Sequence, residues 1–402
     1  MKIRLALLVS ALLLGSLPAW AEAPKGEPIL ILDISSYTAG AAFVTPTRQG
    51  FDLAEAEINV QGGVLGRPIH FDHVDDTGNP EEAITRLQQH LLQDHPVLFT
   101  GCNLANIELA FSSYAKQNKV LEISGCSNSD TAMWQSGHAT MFRGTGPMVY
   151  SFNRMIAERA ATKGKLKWAT INQNYAWGRE NLAAYKENLA AFQPNASWVA
   201  EYWTPIGKID AGSVVNAILR SGAEAVYTSM WGKDLVQFVR EAKKRGLSDH
   251  VLIVSDNMGR PEFMEQMGSE IPEGVVTNGT LPLESPVTPS MKAFAEKYGA
   301  TYHQSVRYTA LQAYLTATVI AEALRQAGTT ETEKLVRTLN GMKFDSLYGP
   351  LTLRAIDHVP DNGVWVGETA IKDGKPVIVN AEYKDGKNYF PPDSYILTLR
   401  KP

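Results

Sequence analysis

Small polar residues and aromatic residues recur at the points where the predicted strands of this 402-residue chain end. The turns in question are residues 35–44, 101–106, 125–130, 172–178 and 229–234. Because the carboxyl ends of parallel strands meet at one edge of a sheet, we expect these turns to lie together. An apolar cleft with a few polar groups suits a small-molecule ligand. The candidate contact residues are Tyr37, Phe43, Tyr175, Trp177, Trp231 and the acidic Asp234.

Sequence motifs for catalysis or metal binding are missing from the chain. It contains no phosphate-binding G-x-x-x-x-G-K-[ST], no hydrolase G-x-S-x-G, no zinc-binding H-E-x-x-H and no dinucleotide-binding G-x-G-x-x-G. The eight histidines are dispersed, and His70 and His73 are three apart on a predicted strand, so they lie on opposite faces. We therefore expect no enzymatic activity, no metal site and no cofactor.

The first 21 residues have the features of a secretory signal peptide. Lys2 and Arg4 precede an apolar run at 5–14, and the small-x-small triplet A-W-A follows at 19–21. The run is too short for a membrane-spanning helix, which needs about 20 residues. We expect residues 1–21 to be removed on export, with an uncleaved anchor as the alternative.

The charge of the chain is nearly balanced. It has 38 basic and 42 acidic residues, which give a formal net charge of −4, and it has no basic tract. We therefore expect neither nucleic acid nor an anionic membrane surface as a partner.

The two cysteines, Cys102 and Cys126, lie in two of the strand-end turns. Two cysteines in an exported protein favour a disulfide. The turns follow neighbouring parallel strands, so the two Cα atoms are expected within disulfide range, roughly 4.4–6.8 Å. Two free buried thiols are the alternative. A redox role is not indicated, because the chain has no C-x-x-C spacing.

The order of elements that positions these turns is an alternation of strands and helices. One helix is predicted to begin with Thr45 as its N-cap and Pro46 at its first position, and another is opened by Asn79 and Pro80. Two such series are separated by a glycine-containing connector at 141–146. The pattern predicts an α/β protein with two doubly wound parallel-sheet lobes.

Three segments early in the chain form a specific pattern: A-E-A-E-I-N at 54–59, G-G-V-L-G-R-P-I at 62–69 and D-D-T-G-N-P-E-E-A at 75–83. They resemble the leucine/isoleucine/valine-binding group of type I periplasmic binding proteins. The likeness continues at 175–178, 207–222 and 344–350 and spans nearly the whole chain after the signal peptide.

The resemblance implies two lobes joined by a three-strand hinge. Lobe I is expected to comprise residues 22–143 plus about 279–348, and lobe II residues 144–278 plus about 349–402. It also implies a periplasmic, monomeric receptor that closes over an amino acid, branched-chain or otherwise apolar, and delivers it to an ABC permease in the inner membrane.

The resemblance also assigns roles to individual residues. The ligand carboxylate would contact Ala105, Asn106, Cys126, Ser127 and Asn128. Asp234 would bind the ligand ammonium group. Phe43 and Trp177, with Trp231 nearby, would surround the ligand side chain.

The chain departs from the family pattern where specificity is decided. Leu104, Ala105 and Asn106 replace the Ser and Thr hydroxyls of the first turn, and Asn128 stands where Thr is common. An aromatic or other small organic acid, or an amide, is therefore an alternative ligand. A sensor subunit that transports nothing is the alternative from another functional class.

Overall fold

The computed structural model of the protein describes residues 23–279 and 288–400. The predicted signal peptide, residues 1–21, lies outside the described residues. Within these ranges, none of the helices is both long enough and apolar enough to cross a membrane.

The first part of the chain alternates strands and helices, as its sequence pattern predicts. Its elements are β1 (Ile29–Ser35), α1 (Ala41–Val44), α2 (Pro46–Val60), β2 (Ile69–Asp75), α3 (Pro80–Gln93), β3 (Leu98–Gly101), α4 (Ala105–Asn118), β4 (Glu122–Ser124), a π-helical turn (Thr131–Gln135) and β5 (Met141–Arg143). The five strands form a parallel sheet in the order β2-β1-β3-β4-β5. The order reverses between β1 and β3, and open α/β sheets bind ligands at such a reversal.

A second series builds the other sheet. Its elements are α5 (Val149–Ala161), β6 (Lys167–Gln173), α6 (Ala176–Phe192), β7 (Ser197–Thr204), α7 (Ala211–Arg220), β8 (Ala225–Thr228), α8 (Gly232–Lys244), α9 (Leu247–His250), β9 (Leu252–Ser255), α10 (Pro261–Met267), a 3-10 turn (Gly268–Glu270) and β10 (Val276–Gly279).

The last third of the chain returns to the first lobe and then crosses back. It consists of α11 (Pro289–Tyr302), α12 (Tyr308–Ala327), α13 (Thr332–Leu339), β11 (Lys343–Ser346), β12 (Gly349–Thr352), β13 (Val364–Lys372), β14 (Lys375–Lys384), a 3-10 turn (Gly386–Asn388) and α14 (Asp393–Leu399).

The second sheet has seven strands in the order β14-β13-β10-β9-β8-β6-β7. Strands β6 to β10 run parallel, whereas β13 and β14 are antiparallel to their neighbours. In the part of the chain that the structure describes, the lobes alternate after β5, β10 and β12, and after β14 the chain returns to pack α14 against the first lobe. The prediction of two doubly wound lobes is confirmed. The antiparallel strands β13 and β14 at one edge of the second sheet were not part of that prediction.

Apolar side chains cover both faces of each sheet. In the first lobe, Phe51 belongs to the cluster shared with α12, whereas Phe111 packs on the opposite face with α3 and α4. In the second lobe, Phe238 and Trp168 lie in separate clusters on the two faces. Parallel sheets need this two-sided cover, because both of their faces are apolar.

Side-chain capping explains some of the helix starts. The Asn79 side chain accepts hydrogen bonds from the N–H groups of Glu81 and Glu82, at 2.9 and 3.1 Å, as its position before Pro80 predicts. The prediction of Thr45 as an N-cap is wrong. Thr45 has helical dihedral angles and makes no side-chain cap, because α1 runs directly into α2.

The end of the chain packs against the first lobe, which differs from the predicted division at residue 349. Strand β12 pairs with β11, and Leu351 is buried in the first-lobe core. Helix α14 buries Ile396 in a cluster with Trp134, and Arg400 donates to the carbonyl of Met133 at 3.2 Å. Burial of apolar residues of α14 therefore keeps the C-terminal segment packed against the first lobe.

Close packing of α2 on α12 depends on a glycine. A Cβ added to Gly50 would lie 2.1 Å from the carbonyl oxygen of Ala310, so the helices would have to separate. We expect Gly50→Ala to lower the free energy of unfolding by about 3 kcal/mol, measured by denaturant titration. Gly299→Ala is the matched control, because its Cβ would meet nothing closer than 3.7 Å inside α11. It should leave stability unchanged or raise it, and an equal loss in both variants would contradict the prediction.

Candidate functional site

A cavity of about 570 Å³, part of it continuous with solvent, lies between the two lobes. It is formed mainly by turns at the carboxyl ends of strands β1, β3, β4, β6, β8 and β9. The lining residues are Gly40, Phe43, Val44, Cys102, Asn103, Leu104, Ala105, Cys126, Ser127, Asn128, Tyr175, Trp177, Trp231, Asn257, Arg260 and Tyr308.

The turns after β3 and β4 are joined side by side. The N–H of Gly125 donates to the carbonyl of Gly101 at 2.9 Å. A disulfide links Cys102 to Cys126, with Cα atoms 4.8 Å apart. Gly125 makes this approach possible, because a Cβ there would lie 2.6 Å from the carbonyl oxygen of Gly101. The disulfide forms part of the cavity wall and holds the two turns in register.

Backbone N–H groups of these turns are available to an anion. Among the described residues, none accepts a hydrogen bond from the N–H groups of Cys126, Ser127 or Asn128. Ala105 is the first residue of α4, so its N–H has no partner within the helix. A helix N-terminus with free N–H groups favours negative charge, so this wall suits a carboxylate.

Arg260 brings a positive charge to the cavity from the second lobe. The residue is 8% exposed. Its guanidinium lies 3.8 Å from the ring centroid of Tyr308 and 4.8 Å from that of Phe43. Its Nε has no hydrogen-bond partner among the residues that the structure describes. Two buried carboxyl groups interact with this charge. Burial raises the pKa of Asp256 to about 7 and raises that of Glu262 above its usual range, although Arg260 opposes both shifts, so the two groups compensate the charge only in part.

Aromatic rings make up much of the remaining wall. Phe43 from the first lobe lies 5.9 Å from Trp231 of the second lobe and 6.0 Å from Tyr308, between ring centroids. The indole N–H groups are used within the protein, since Trp231 donates to Tyr175 at 2.8 Å and Trp177 donates to the carbonyl of Ser229 at 3.1 Å. These rings therefore offer apolar surface to a ligand.

The side chain of Asn128 holds Tyr308, another lining residue, in place by hydrogen bonding. Its Nδ2 donates to the Tyr308 hydroxyl at 2.9 Å, and its Oδ1 accepts from Arg143 at 2.6 Å. Both ends of the amide are thus used inside the protein. Asn128 lines the cavity, as predicted, but its amide holds Tyr308 in place instead of being free for a ligand.

Three predicted site residues do not line the cavity. Tyr37 points its hydroxyl at Asp33 and His73. Asn106 is exposed on the surface of α4. Asp234 is 1% exposed, and its carboxylate accepts hydrogen bonds from Gln173 and the N–H of Gly207, both at 2.7 Å. The carboxylate of Asp234 therefore anchors the loop after β7, and the expected contact with a ligand ammonium group does not fit this position.

Three lining residues lie outside the turns that the sequence predicts for the cleft. Asn257 and Arg260 follow β9, whose apolar sequence V-L-I-V-S at 251–255 is typical of a strand, so the position of this turn at a strand end is a signal for them. Tyr308 begins α12, a helix of the first lobe that the chain reaches only after leaving the second sheet. No local pattern indicates that it meets Arg260.

The partners of Tyr37 form a buried ionic network beside the first-lobe turns. The Nδ1 of His73 lies 2.7 Å from Asp33, its Nε2 lies 3.0 Å from Asp52, and its side chain is 8% exposed. Burial lowers the pKa of His73, but the hydrogen bonds to Asp33 and Asp52 raise it by more, to about 9.

This pKa predicts a pH dependence of stability. The folded-state pKa lies above the unfolded value of about 6.5, so the contribution of His73 is complete below that pH and is lost as the pH rises through about 9. We expect a loss on the order of 2 kcal/mol between about pH 7 and about pH 9.5. Thermal unfolding across this range should show a smaller decline in His73→Gln than in the exposed control His250→Gln. Parallel declines would contradict the prediction.

Comparison with known proteins agrees with this architecture. A family model described as periplasmic binding protein matches residues 30–375. The "Leu/Ile/Val-binding protein homolog 7" of Brucella suis is 24% identical over 368 residues, which cover 85% of this chain and 86% of that protein. A leucine-, isoleucine-, valine-, threonine-, and alanine-binding protein of Pseudomonas aeruginosa is 24% identical over 310 residues, which cover 76% and 79% of the two chains.

A solved structure also shares the fold. The solute binding protein of an ABC transporter from Rhodopseudomonas palustris BisB5, in complex with 3,4-dihydroxy benzoic acid, has a TM-score of 0.82 at 20% identity. The match covers 91% of this chain and 99% of that one. The family match spans most of the chain, and the two-lobed fold is the same. The chain therefore belongs to the periplasmic binding protein family, in its type I form, as the resemblance to the leucine/isoleucine/valine-binding group implied.

Proposed function

We propose that this protein is the periplasmic receptor of an ABC importer for a small aromatic carboxylate. The observation that supports this most directly is the buried guanidinium of Arg260, which faces a cavity walled by aromatic rings. A guanidinium matches the geometry of a carboxylate and can bind it through two parallel hydrogen bonds. The rings of Phe43, Trp177 and Trp231 provide apolar surface for the rest of a flat ligand.

An α-amino acid is the second candidate, because relatives of the chain are named for amino-acid binding. Its ammonium group would need an acidic partner or several acceptors in a buried site. No Asp or Glu lies among the described residues that line the cavity. Asp234 is occupied by Gln173 and Gly207. This lining favours a ligand that has a carboxylate and no amine.

The arrangement supports a hinged mechanism. A carboxylate could receive hydrogen bonds from the first-lobe turn at 126–128 and from Arg260 of the second lobe at once. Such a ligand has more contacts in the closed arrangement than in an open one, so it shifts the equilibrium toward closure. The closed form would then be recognised by a permease. Both halves of the cleft belong to one chain, so a monomer is sufficient to bind the ligand. The signal peptide at 1–21 would direct the export of the protein to the periplasm.

A thermal-shift panel tests the ligand class. We expect benzoate and 3,4-dihydroxybenzoate to raise the melting temperature, since a ligand at 100 times its Kd adds roughly 2.7 kcal/mol of stability. Leucine, phenylalanine and the uncharged isostere benzamide should have much smaller effects. Stabilisation by leucine or phenylalanine without any by benzoate would reject the aromatic-acid assignment in favour of the amino-acid one.

A deletion strain separates import from sensing. Loss of the receptor should abolish uptake of the radiolabelled ligand that the panel identifies. Unchanged uptake together with loss of a transcriptional or motility response would favour the sensor alternative.

A further inference from the structure

A second cavity opens between the lobes, next to the ligand cleft. It encloses about 900 Å³, part of which is continuous with solvent. The π-helical turn contributes from the first lobe, α5 and α6 contribute from the second, and α14 closes one side. The lining residues are Leu109, Ser129, Asp130, Thr131, Trp134, Gln135, Tyr150, Ala176, Arg179, Glu180, Ala183, Ala184, Glu187, Tyr395 and Leu399. It contains none of the residues that line the ligand cleft.

Three aromatic rings in this cavity contact one another. The ring centroids of Trp134 and Tyr150 are 6.2 Å apart, those of Trp134 and Tyr395 are 6.1 Å apart, and those of Tyr150 and Tyr395 are 5.6 Å apart. The rings come from the first lobe, the second lobe and the C-terminal helix. Aromatic faces attract cations through the ring quadrupole, and clusters of rings recognise organic ammonium groups in this way.

The same cavity is lined by three carboxylates. Asp130 is 6% exposed; its Oδ2 accepts from the N–H of Tyr150 at 2.7 Å, and its Oδ1 has no partner among the described residues. Glu180 reaches across from the second lobe to the N–H of Thr131 at 2.6 Å. Glu187 accepts from the Tyr395 hydroxyl at 3.3 Å.

Among the described residues that line the cavity, the three carboxylates face a single positive charge, that of Arg179. Its guanidinium donates to the neutral side chain of Asn174 at 2.9 and 3.2 Å. Burial, and repulsion from Glu180, raise the pKa of Asp130 well above its usual range, although the N–H of Tyr150 and the positive charge of Arg143 oppose the shift. Burial raises the pKa of Glu180 to about 6. A cation in the cavity would offset the repulsion between Asp130 and Glu180 and would give the Oδ1 atom of Asp130 a partner.

We propose that this second cavity binds a small organic ammonium ion between the carboxylates of Asp130, Glu180 and Glu187 and the rings of Trp134, Tyr150 and Tyr395. The rings distinguish such a ligand from an inorganic cation, which would prefer a cage of oxygen atoms. The walls come from both lobes, so the site is complete only when the lobes are closed.

Titration of the full chain without any carboxylate ligand tests the site independently of the proposed function. Tetramethylammonium chloride and butylammonium chloride are compared with sodium chloride and magnesium chloride at equal ionic strength, by melting temperature and isothermal titration calorimetry. We expect at least one organic ammonium ion to bind and to raise the melting temperature, whereas the inorganic salts do not. Equal stabilisation by magnesium or sodium, or no effect of either ammonium ion, would overturn the proposal.

Matched variants locate the binding. Tyr395 lies on the C-terminal helix and is partly exposed, so Tyr395→Leu should fold; we expect it to weaken ammonium binding about tenfold, whereas Tyr395→Phe keeps the ring and the affinity. Asp130→Asn removes the charge and keeps an acceptor for Tyr150, and should weaken binding similarly. Glu333→Gln, an exposed acid elsewhere, is the charge control. Unchanged affinity in both Tyr395→Leu and Asp130→Asn would place the cation elsewhere and overturn the proposal.

Discussion

Arg260→Gln is expected to weaken benzoate binding about 100-fold, because a buried charge-assisted pair is worth on the order of 3 kcal/mol. The guanidinium packs on the rings of Phe43 and Tyr308 with its Nε unpartnered among the described residues, so a ligand carboxylate would satisfy it. Calorimetric titration of benzoate measures the loss. Gln removes the positive charge and keeps a hydrogen-bond donor on a shorter side chain, so an uncharged ligand of the same shape is needed to isolate the effect of the charge.

Benzamide and a surface variant provide the controls for this prediction. Benzamide has the shape of benzoate without its charge, so its weaker binding should change little in Arg260→Gln. The exposed Arg240, paired with Glu270 at 2.8 Å, offers Arg240→Gln as a variant that removes one positive charge far from the cavity. An equal loss of benzoate and benzamide affinity would show that Arg260 only packs the wall, and would reject its role as the carboxylate partner.

Replacing both cysteines, as Cys102→Ala with Cys126→Ala, is expected to lower the free energy of unfolding by about 3 kcal/mol. The disulfide closes a loop with a sequence separation of 24 residues, and the chain-entropy model assigns a loss of this size to opening such a loop. Benzoate affinity should fall as well, because the sulfur atoms form part of the cavity wall and hold the two turns together. Denaturant unfolding and calorimetry measure the two effects.

Chemical reduction checks the same prediction without mutation. Dithiothreitol should lower the melting temperature of the wild type and leave the double variant unchanged. A thiol assay that shows both cysteines reduced, with no change in the wild-type melting temperature, would contradict a stabilising disulfide.

Much of the cleft could be anticipated from the sequence, because its position follows from local structure. A predicted strand that ends in a turn of small residues places that turn at the carboxyl edge of a parallel sheet. Cys126 and Trp177 were found by this rule, and both line the cavity. Arg260 lies in the turn after the strand-like segment V-L-I-V-S at 251–255, so the same local pattern also indicates its position.

Side-chain direction could not be anticipated in the same way. Tyr37 and Asp234 lie in the expected turns, yet Tyr37 points to Asp33 and Asp234 points to the loop at Gly207. Both turns have several polar groups within reach of a rotating side chain, and burial of unpaired polar atoms is costly. The hydrogen-bond partners that settle the direction come from other segments of the chain.

The sequence by itself determined the two-lobed α/β fold, the edge of the sheets at which ligands bind, and the pairing of the two cysteine turns, because strand, helix and turn patterns are local. Only the tertiary structure decided what the cleft recognises. Tyr308 and Asn128 are 180 positions apart and meet through a hydrogen bond, and Arg260 packs on that same ring from the other lobe. The first contact depends on the return of α12 to the first lobe, and the second depends on how the two lobes close on each other. No local pattern encodes either.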